Sequence, residues 1–461
     1  MVMDSPFSKW TPTPQEPWDI VRVAHLHRRA SFTPDWMTIQ RSLRDGCETS
    51  IDRLLGLNKP EQNDYELAEK RESQFEQMAA TIGDAAVGSN NADRLRAWWV
   101  FRMLMTPRPL VERMTLLWHN HFATSNNKVQ DLSAMYEQNN LLRKHCLGRF
   151  SELLPAVVKH RAMLSWLDAA ANRKEHPNEN LARELMELFT LGQGHYSEAD
   201  VVEAARCLTG WTIRSNRFEF IPELHDSGEK SVLGHKGRLD GDGLLVLLLK
   251  QDATAKRIAV RLCEMFFGEE VVDEKSLSEL AAGLQKNELS VAWGVETVLR
   301  SHLFFSKANI RSRVAGPVEL VIGTARTLEM QKDPPSTLLL GAELRKLGQD
   351  LFHPPNVFGW PEGREWIHTR SVLARHGFAD AIVAGKLHQS AHSPLICEHL
   401  ATQHGFSNKR EQVLEFYGLL ISNQSNAVMR YGDGADIKTT EHDQLCRVVL
   451  RILADPENQL S

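Results

Sequence analysis

The sequence predicts a mainly α fold: one large multi-helix globular domain with a small β-hairpin insertion. The first sign is that apolar residues recur at helical spacing along most of the chain. The second is that one stretch, Trp211 to Ile221, alternates as a strand pair does around Ser215-Asn216. The third is bulk: 461 residues, 42% hydrophobic and 25% charged, suffice for a large core under a polar surface.

Residues 1–20 hold four prolines and little periodicity, and read as an extended arm. A helical region follows over 21–91. Within it Thr33-Pro34-Asp35 marks a helix start with proline at the first helical position. Residues 58–92 are polar and read as an exposed helix with loops. Residues 92–380 form the expected core domain. Its first two helices, between Ala92 and Phe122, break near Pro107 and Pro109. Helical pattern resumes over 130–154 and 157–170. Residues 178–191 read as a helix with Pro177 in its first turn and Gly192 as a left-handed cap.

Ser197-Glu198-Ala199-Asp200 resembles a capping box for the next helix. The hairpin of 211–221 and a Gly- and Asp-rich loop from His225 to Gly243 come next. Thr254 to Phe267 is amphipathic, with Ile258, Ala259, Leu262 and Phe266 on one face and Gly268 as its stop. Helices over 276–284, 292–301 and 311–330 precede a Pro/Trp loop at 352–366. Three prolines and two glycines between Leu351 and Gly363 exclude a regular helix there. Helices over 371–387, 410–421 and 443–453 complete the chain, and 381–461 reads as a C-terminal helical region.

The bulk numbers also exclude. A formal net charge of -5 gives no global attraction to nucleic acid, and no basic-aromatic stripe suggests it. No apolar run approaches the ~20 residues of a membrane helix. The N-terminus lacks a basic start followed by an apolar run, so a cytoplasmic location is expected. Six cysteines show no close zinc or redox spacing, and a reduced compartment is the simplest reading. No Walker A, GxGxxG, GxSxG or HExxH motif occurs.

Three segments concentrate geometry-specific residues. In helix 178–191, Leu181, Leu185 and Leu188 share a buried stripe, while Glu179, Arg183 and Glu187 share another face beside Asn180 and Glu184. One reading is a salt-bridged surface, about 0.3–0.5 kcal/mol per pair. The other is a cleft where Glu179, Arg183, Glu184 and Glu187 are catalytic and Asn180 contacts substrate. Arg183 would hold its neighbouring carboxylates ionised.

In Trp118-His119-Asn120-His121-Phe122 the two histidines can share an ion only if the helix has ended. His119, His121 and Glu184 are then a candidate divalent-metal set. Otherwise His119 belongs to the core and His121 to a helix end. In the Pro/Trp loop, Asn356, Trp360 and Trp366 form either a buried plug or a pocket wall on which a sugar stacks. The 11 Trp against 5 Tyr permit the latter. Asp240-Gly241-Asp242-Gly243 reads as a turn whose Asp caps the next helix in preference to a calcium-binding loop, and His225-Asp226 as an oriented imidazole.

His176 to Trp211, Trp118 to Phe122 and Leu351-Phe352-His353-Pro354-Pro355-Asn356-Val357-Phe358-Gly359-Trp360 together resemble the bacterial domain-of-unknown-function family numbered 1800, over about His25 to Arg370. Two positions depart from the family pattern: Arg29-Ala30-Ser31-Phe32-Thr33 replaces an Arg-Ala-Gly-Phe-Gly stretch, and His353 replaces a glutamine. The resemblance implies a mostly helical protein, often encoded beside a sulfatase-like partner, with many relatives exported. It implies no settled reaction. Three functions therefore stand open: a metal-assisted hydrolase acting on a glycan or sulfated polymer, a non-catalytic scaffold or maturation partner of a sulfatase-like protein, and a carbohydrate-binding protein.

Overall fold

The computed structural model describes residues 5–57, 62–388, 395–423, 430 and 441–461. The first four residues of the expected arm, and parts of the regions 58–92 and 381–461, lie outside them. The architecture is mainly α, as the periodicity predicts, with two small antiparallel hairpins, of which the sequence predicted the first. No helix among the described residues is long and apolar enough to cross a membrane.

In chain order the first helices are α1 (Ile20–Ala30), α2 (Trp36–Leu55), α3 (Gln62–Gly88), α4 (Ala92–Met105), α5 (Pro109–His121), α6 (Leu132–His145) and α7 (Phe150–Val158). After a short helix at Arg161–Trp166 and a 3-10 turn at Ala169–Ala171, α8 (Asn180–Glu184) runs directly into a π-helical turn at Leu185–Thr190, and α9 (Glu198–Cys207) follows. The hairpins are β1 (Trp211–Arg214) with β2 (Arg217–Phe220), and β3 (Lys230–Val232) with β4 (His235–Gly237). Then come α10 (Gly241–Leu249), α11 (Asp252–Phe266), α12 (Glu274–Lys286), α13 (Val291–Leu299), α14 (Pro317–Thr327), α15 (Thr337–Lys346), α16 (Thr369–Val383), α17 (Cys397–Gln403), α18 (Arg410–Tyr417) and α19 (Glu441–Ala454).

Local chemistry explains the boundaries. Asp35 caps α2 by accepting from Thr38 N, so Pro34 precedes the cap instead of opening the helix. Pro109 does occupy the first position of α5, and Pro317 that of α14. Ser197 and Asp200 close the expected capping box. In the first hairpin Trp211 pairs with Phe220 and Arg214 with Arg217. Ser215 and Asn216 both have positive φ, 50° and 59°, as a type I′ turn needs. The second hairpin falls in the expected loop 225–243. Its three-residue strands are too short to show alternation, and one of them buries Lys230, whose Nζ is held by the Asp226 and Gly228 carbonyls.

The 178–191 segment differs from a simple helix. Asn178 Oδ1 accepts from Asn180 N and Asn172 Oδ1 from Asn178 N, so the asparagines build the entry turn and Pro177 lies outside the helix. The chain then widens into the π turn, where Leu191 N bonds Met186 O at 2.8 Å and Thr190 Oγ1 bonds Leu185 O at 2.6 Å. Gly192 follows at φ 82°.

The interior falls into two apolar clusters. One gathers α7, α8, α11 and α13 around Met163, Leu185 and Leu262. The other gathers α4, α14, α16 and α19 around Trp98, Val321 and Phe378. Helix α5 feeds both: Met114, Trp118 and Phe122 enter the first cluster, and Leu116 enters the second. The N-terminal arm is docked, with Trp10 buried against Phe305 at 4.6 Å between ring centroids.

A candidate charged cleft beside helix α5

The last turn of α5 joins all three segments singled out above. The helix continues through His121, so His119 and His121 point to different sides. His119 lies against Trp99, Phe352 and Trp360, stacked on the last at 5.4 Å and 16°. Neither of its ring nitrogens has a hydrogen-bond partner, and burial drives its pKa down to about 3. His121 packs edge-on to Phe122 and donates from Nε2 to the Phe189 carbonyl at 3.2 Å. Burial, with Arg257 and Arg261 nearby, pushes it well below its ordinary value. Both imidazoles are neutral core groups.

Burial and the Glu187 charge raise the pKa of Glu184. His119, His121 and Glu184 do not form a metal-holding group. Among the described residues no group of three His, Cys, Asp or Glu is arranged to hold a metal ion.

The other expected residues form a brace. Arg183 bridges Glu179 at 3.1 Å and Glu198 at 2.8 Å. Glu187 accepts from Gln193 at 2.7 Å and Tyr196 at 2.6 Å, which lower its pKa. Asn180 donates to Asp168 at 3.1 Å. These pairs are partly exposed and tie the helix to neighbouring loops, worth about 0–1 kcal/mol each. Asn356 caps its own turn by accepting from Phe358 N. Trp360 and Trp366 are 3% and 6% exposed, so neither offers a sugar a free ring face. His225 bonds Thr209, not Asp226, whose carboxylate goes to Arg206. Asp240 caps α10.

Asn120 and the end of the Pro/Trp loop line a cleft between α5, the end of α11 and the start of α14. It encloses about 670 Å³, part of it open to solvent, with about 90 Å³ of room for the centres of water-sized groups. That suits several waters or one small polar molecule.

One wall is acidic. Glu362 accepts from Asn120 Nδ2 at 2.5 Å and from Arg261 Nη2 at 2.7 Å. Arg261 also pairs with Glu264 at 2.7 Å. Burial opposes the charge on Glu362, but Arg261 and Asn120 outweigh it and hold the pKa below the ordinary range. Glu269 has no such partner at the rim. Partial burial and the charges of Glu362 and Glu264 raise its pKa. Its carboxylate folds over Gly363, where a Cβ would come within 2.7 Å of Oε2.

The opposite wall is basic. Glu319 is buried between Arg113 and Arg313 and accepts from Gly316 N at 2.6 Å. Behind it Arg29 donates to Ser312 Oγ at 3.0 Å and Asn309 O at 3.1 Å, while Arg113 reaches the Arg29 carbonyl. Arg29 Nη1 and Nε, Arg113 Nε and Arg313 Nε are buried without partners. Burial lowers the pKa of Arg29 and Arg113, and arginine stays charged regardless.

Sequence reasoning passed over Arg113, Arg261, Glu319 and Glu362. A signal existed for one: Arg113 and Asn120 lie seven apart on α5, hence on one face.

Asn120 also locks the Pro/Trp loop, because its Oδ1 accepts from Trp360 N at 2.6 Å. This close approach requires Gly359, at φ 91°: a Cβ would lie 2.7 Å from Asn120 O and nearer still to its Oδ1. Gly359→Ala is expected to destabilise by about 2–4 kcal/mol through left-handed strain plus overpacking. Urea denaturation measures it, and a loss below about 1 kcal/mol would contradict this account.

A family model described as "Protein of unknown function (DUF1800)" matches residues 25–460, about ninety residues beyond the stretch where the resemblance is legible by eye. No curated protein and no solved structure matches the chain.

Proposed function

We propose that this chain, which belongs to the DUF1800 family, binds a small zwitterionic molecule in the cleft beside α5. The observation that carries the reading is the opposition of its walls. Three guanidinium groups, Arg29, Arg113 and Arg313, share one carboxylate, Glu319, on one side. Glu264 and Glu362 share one guanidinium, Arg261, on the other, and Glu269 stands beside them without a cation of its own. A ligand with an anionic end and an ammonium end satisfies both fields at once, and a low-dielectric wall strengthens each contact.

Thermal shift and calorimetry with amino acids and taurine, against acetate and alkylammonium carrying one charge each, test this. A zwitterion is expected to raise the melting temperature, by the equivalent of about 2.7 kcal/mol at a hundredfold excess over Kd. Arg313→Met and Glu362→Gln are each expected to abolish that shift. Equal binding of acetate alone, or no binding by any zwitterion, would end the proposal.

A second reading adds chemistry to the same cleft. Glu269 is held up and Glu362 held down, the separation that divides an acid from a base. Hydrolysis of the bound molecule, with Glu269 as proton donor, follows from that pair. The metal-assisted variant draws no support from His119 and His121, and glycan stacking draws none from Trp360 and Trp366.

A further inference from the structure

Cys397 and Cys446 are 49 positions apart, yet their sulfurs lie 3.6 Å from each other where α17 begins and α19 passes. His442 is one turn before Cys446 on α19, and its Nε2 is 3.5 Å from the Cys446 sulfur. Its Nδ1 faces the Glu398 carboxylate at 3.0 Å. A carboxylate accepts only, so Nδ1 carries the hydrogen and Nε2 is left free to take a proton from the thiol. Cys397 is fully buried, whereas Cys446 and His442 are partly exposed.

The two thiols are also electronically unequal. Hydrogen bonding from Cys397 and the charge of His442 pull Cys446 below an ordinary thiol, against burial and the nearby Glu398 and Asp443. The Cys446 interaction and burial push Cys397 up. Burial holds Cys47, Cys146 and Cys207 at about 12, and it raises Cys263 as well. Only Cys446 combines access, a base and a neighbouring thiol.

We propose that Cys446 and Cys397 are a redox-active thiol pair, with Cys446 the attacking sulfur, Cys397 the resolving one, and His442 the base oriented by Glu398. The co-reactant is a small-molecule disulfide, R–S–S–R. His442 Nε2 takes the Cys446 proton, and the resulting thiolate attacks one sulfur of the disulfide. A Cys446–S–S–R bond forms, and R–S⁻ leaves and takes the proton back from His442. The Cys397 thiol then attacks the Cys446 sulfur. The intramolecular disulfide forms, and the second R–S⁻ leaves with the Cys397 proton. Two thiols are oxidised and one disulfide is reduced to two thiols, a balanced two-electron exchange.

The test uses the full chain with oxidised glutathione at pH 7, followed by alkylation and peptide mass spectrometry. Wild type is expected to yield a Cys397–Cys446 linkage with the other four thiols alkylated. Cys397→Ser is expected to stop at a mixed disulfide on Cys446. His442→Gln is expected to slow the reaction of Cys446 about tenfold, the change in thiolate fraction for one unit of pKa. A wild-type map in which Cys446 reacts no faster than the other cysteines, or carries glutathione without linking to Cys397, would overturn the proposal. So would stoichiometric zinc on the purified chain that holds both thiols. The wild-type map decides even if a variant fails to fold.

Discussion

Glu319→Gln is expected to cost the fold about 3–5 kcal/mol, the loss on stripping one partner from a buried ion pair. The side chain is 6% exposed, lies between Arg113 and Arg313 and receives Gly316 N. Glutamine preserves the shape and can still accept from Gly316, so the loss isolates charge. What remains is a wall of guanidinium groups without a buried counterion. Arg313→Met in the Glu319→Gln background should recover part of the loss, because it removes one stranded cation. Guanidinium denaturation of the two single variants and the double variant measures this. A single-variant loss below about 1 kcal/mol would show that solvent already neutralises the wall.

The same carboxylate titrates late. Its pKa is held at about 2 because Arg113 and Arg313 outweigh the burial that opposes its charge. A group depressed on folding stabilises above its unfolded pKa near 4.5, and that contribution is lost as pH falls towards 2, about 3 kcal/mol in all.

The second large effect comes earlier on acidification. Burial lowers His27 to about 4 and His119 to about 3, and it lowers His25 and His121 well below 6.5. These groups are neutral in the fold and take up protons when it opens. The unfolded state therefore binds more protons below pH 6.5, so stability falls with falling pH. Each histidine contributes about 1.4 kcal/mol per pH unit until its folded pKa is reached. At pH 5 His27 and His119 together amount to roughly 4 kcal/mol, a large part of the stability of a typical domain, and His25 and His121 act in the same direction.

The chain is expected to unfold between about pH 6 and pH 4, before Glu319 titrates. Circular dichroism across that range reads it directly. His119→Phe should flatten the curve: the ring lies among Trp99, Phe352 and Trp360 with no hydrogen bond to lose. Unchanged stability down to pH 4 would refute the argument.

The fold class was legible because helical spacing is local and repeated. The first hairpin was legible because Ser215-Asn216 fits a turn with two positive φ values. The second hairpin was not, since Lys230 to Val232 offers only one alternation and its first member is a buried lysine. The π turn was invisible as well: one extra residue over Leu185–Thr190 leaves Leu181, Leu185 and Leu188 buried together.

The candidate cleft was half legible. Its floor and lip, Asn120 and Pro361-Glu362-Gly363, lie in segments whose odd composition drew notice. Its charges did not, because Arg113, Arg261 and Glu319 sit in ordinary helical patterns and acquire meaning only across more than a hundred residues of separation. The Cys397–Cys446 approach was hidden too, because 49 positions separate the two thiols and no close spacing marks them.

Helix α5 ends with consecutive side chains committed to opposite interiors. Trp118 and Phe122 are seated on one side, and His119 and the loop lock of Asn120 on the other. Helices α1 and α2 also send side chains into both clusters, so parting the two halves means breaking α5 along with them. The peptide amides of this turn are expected to be among the last to yield their hydrogens to solvent, which hydrogen exchange reads directly.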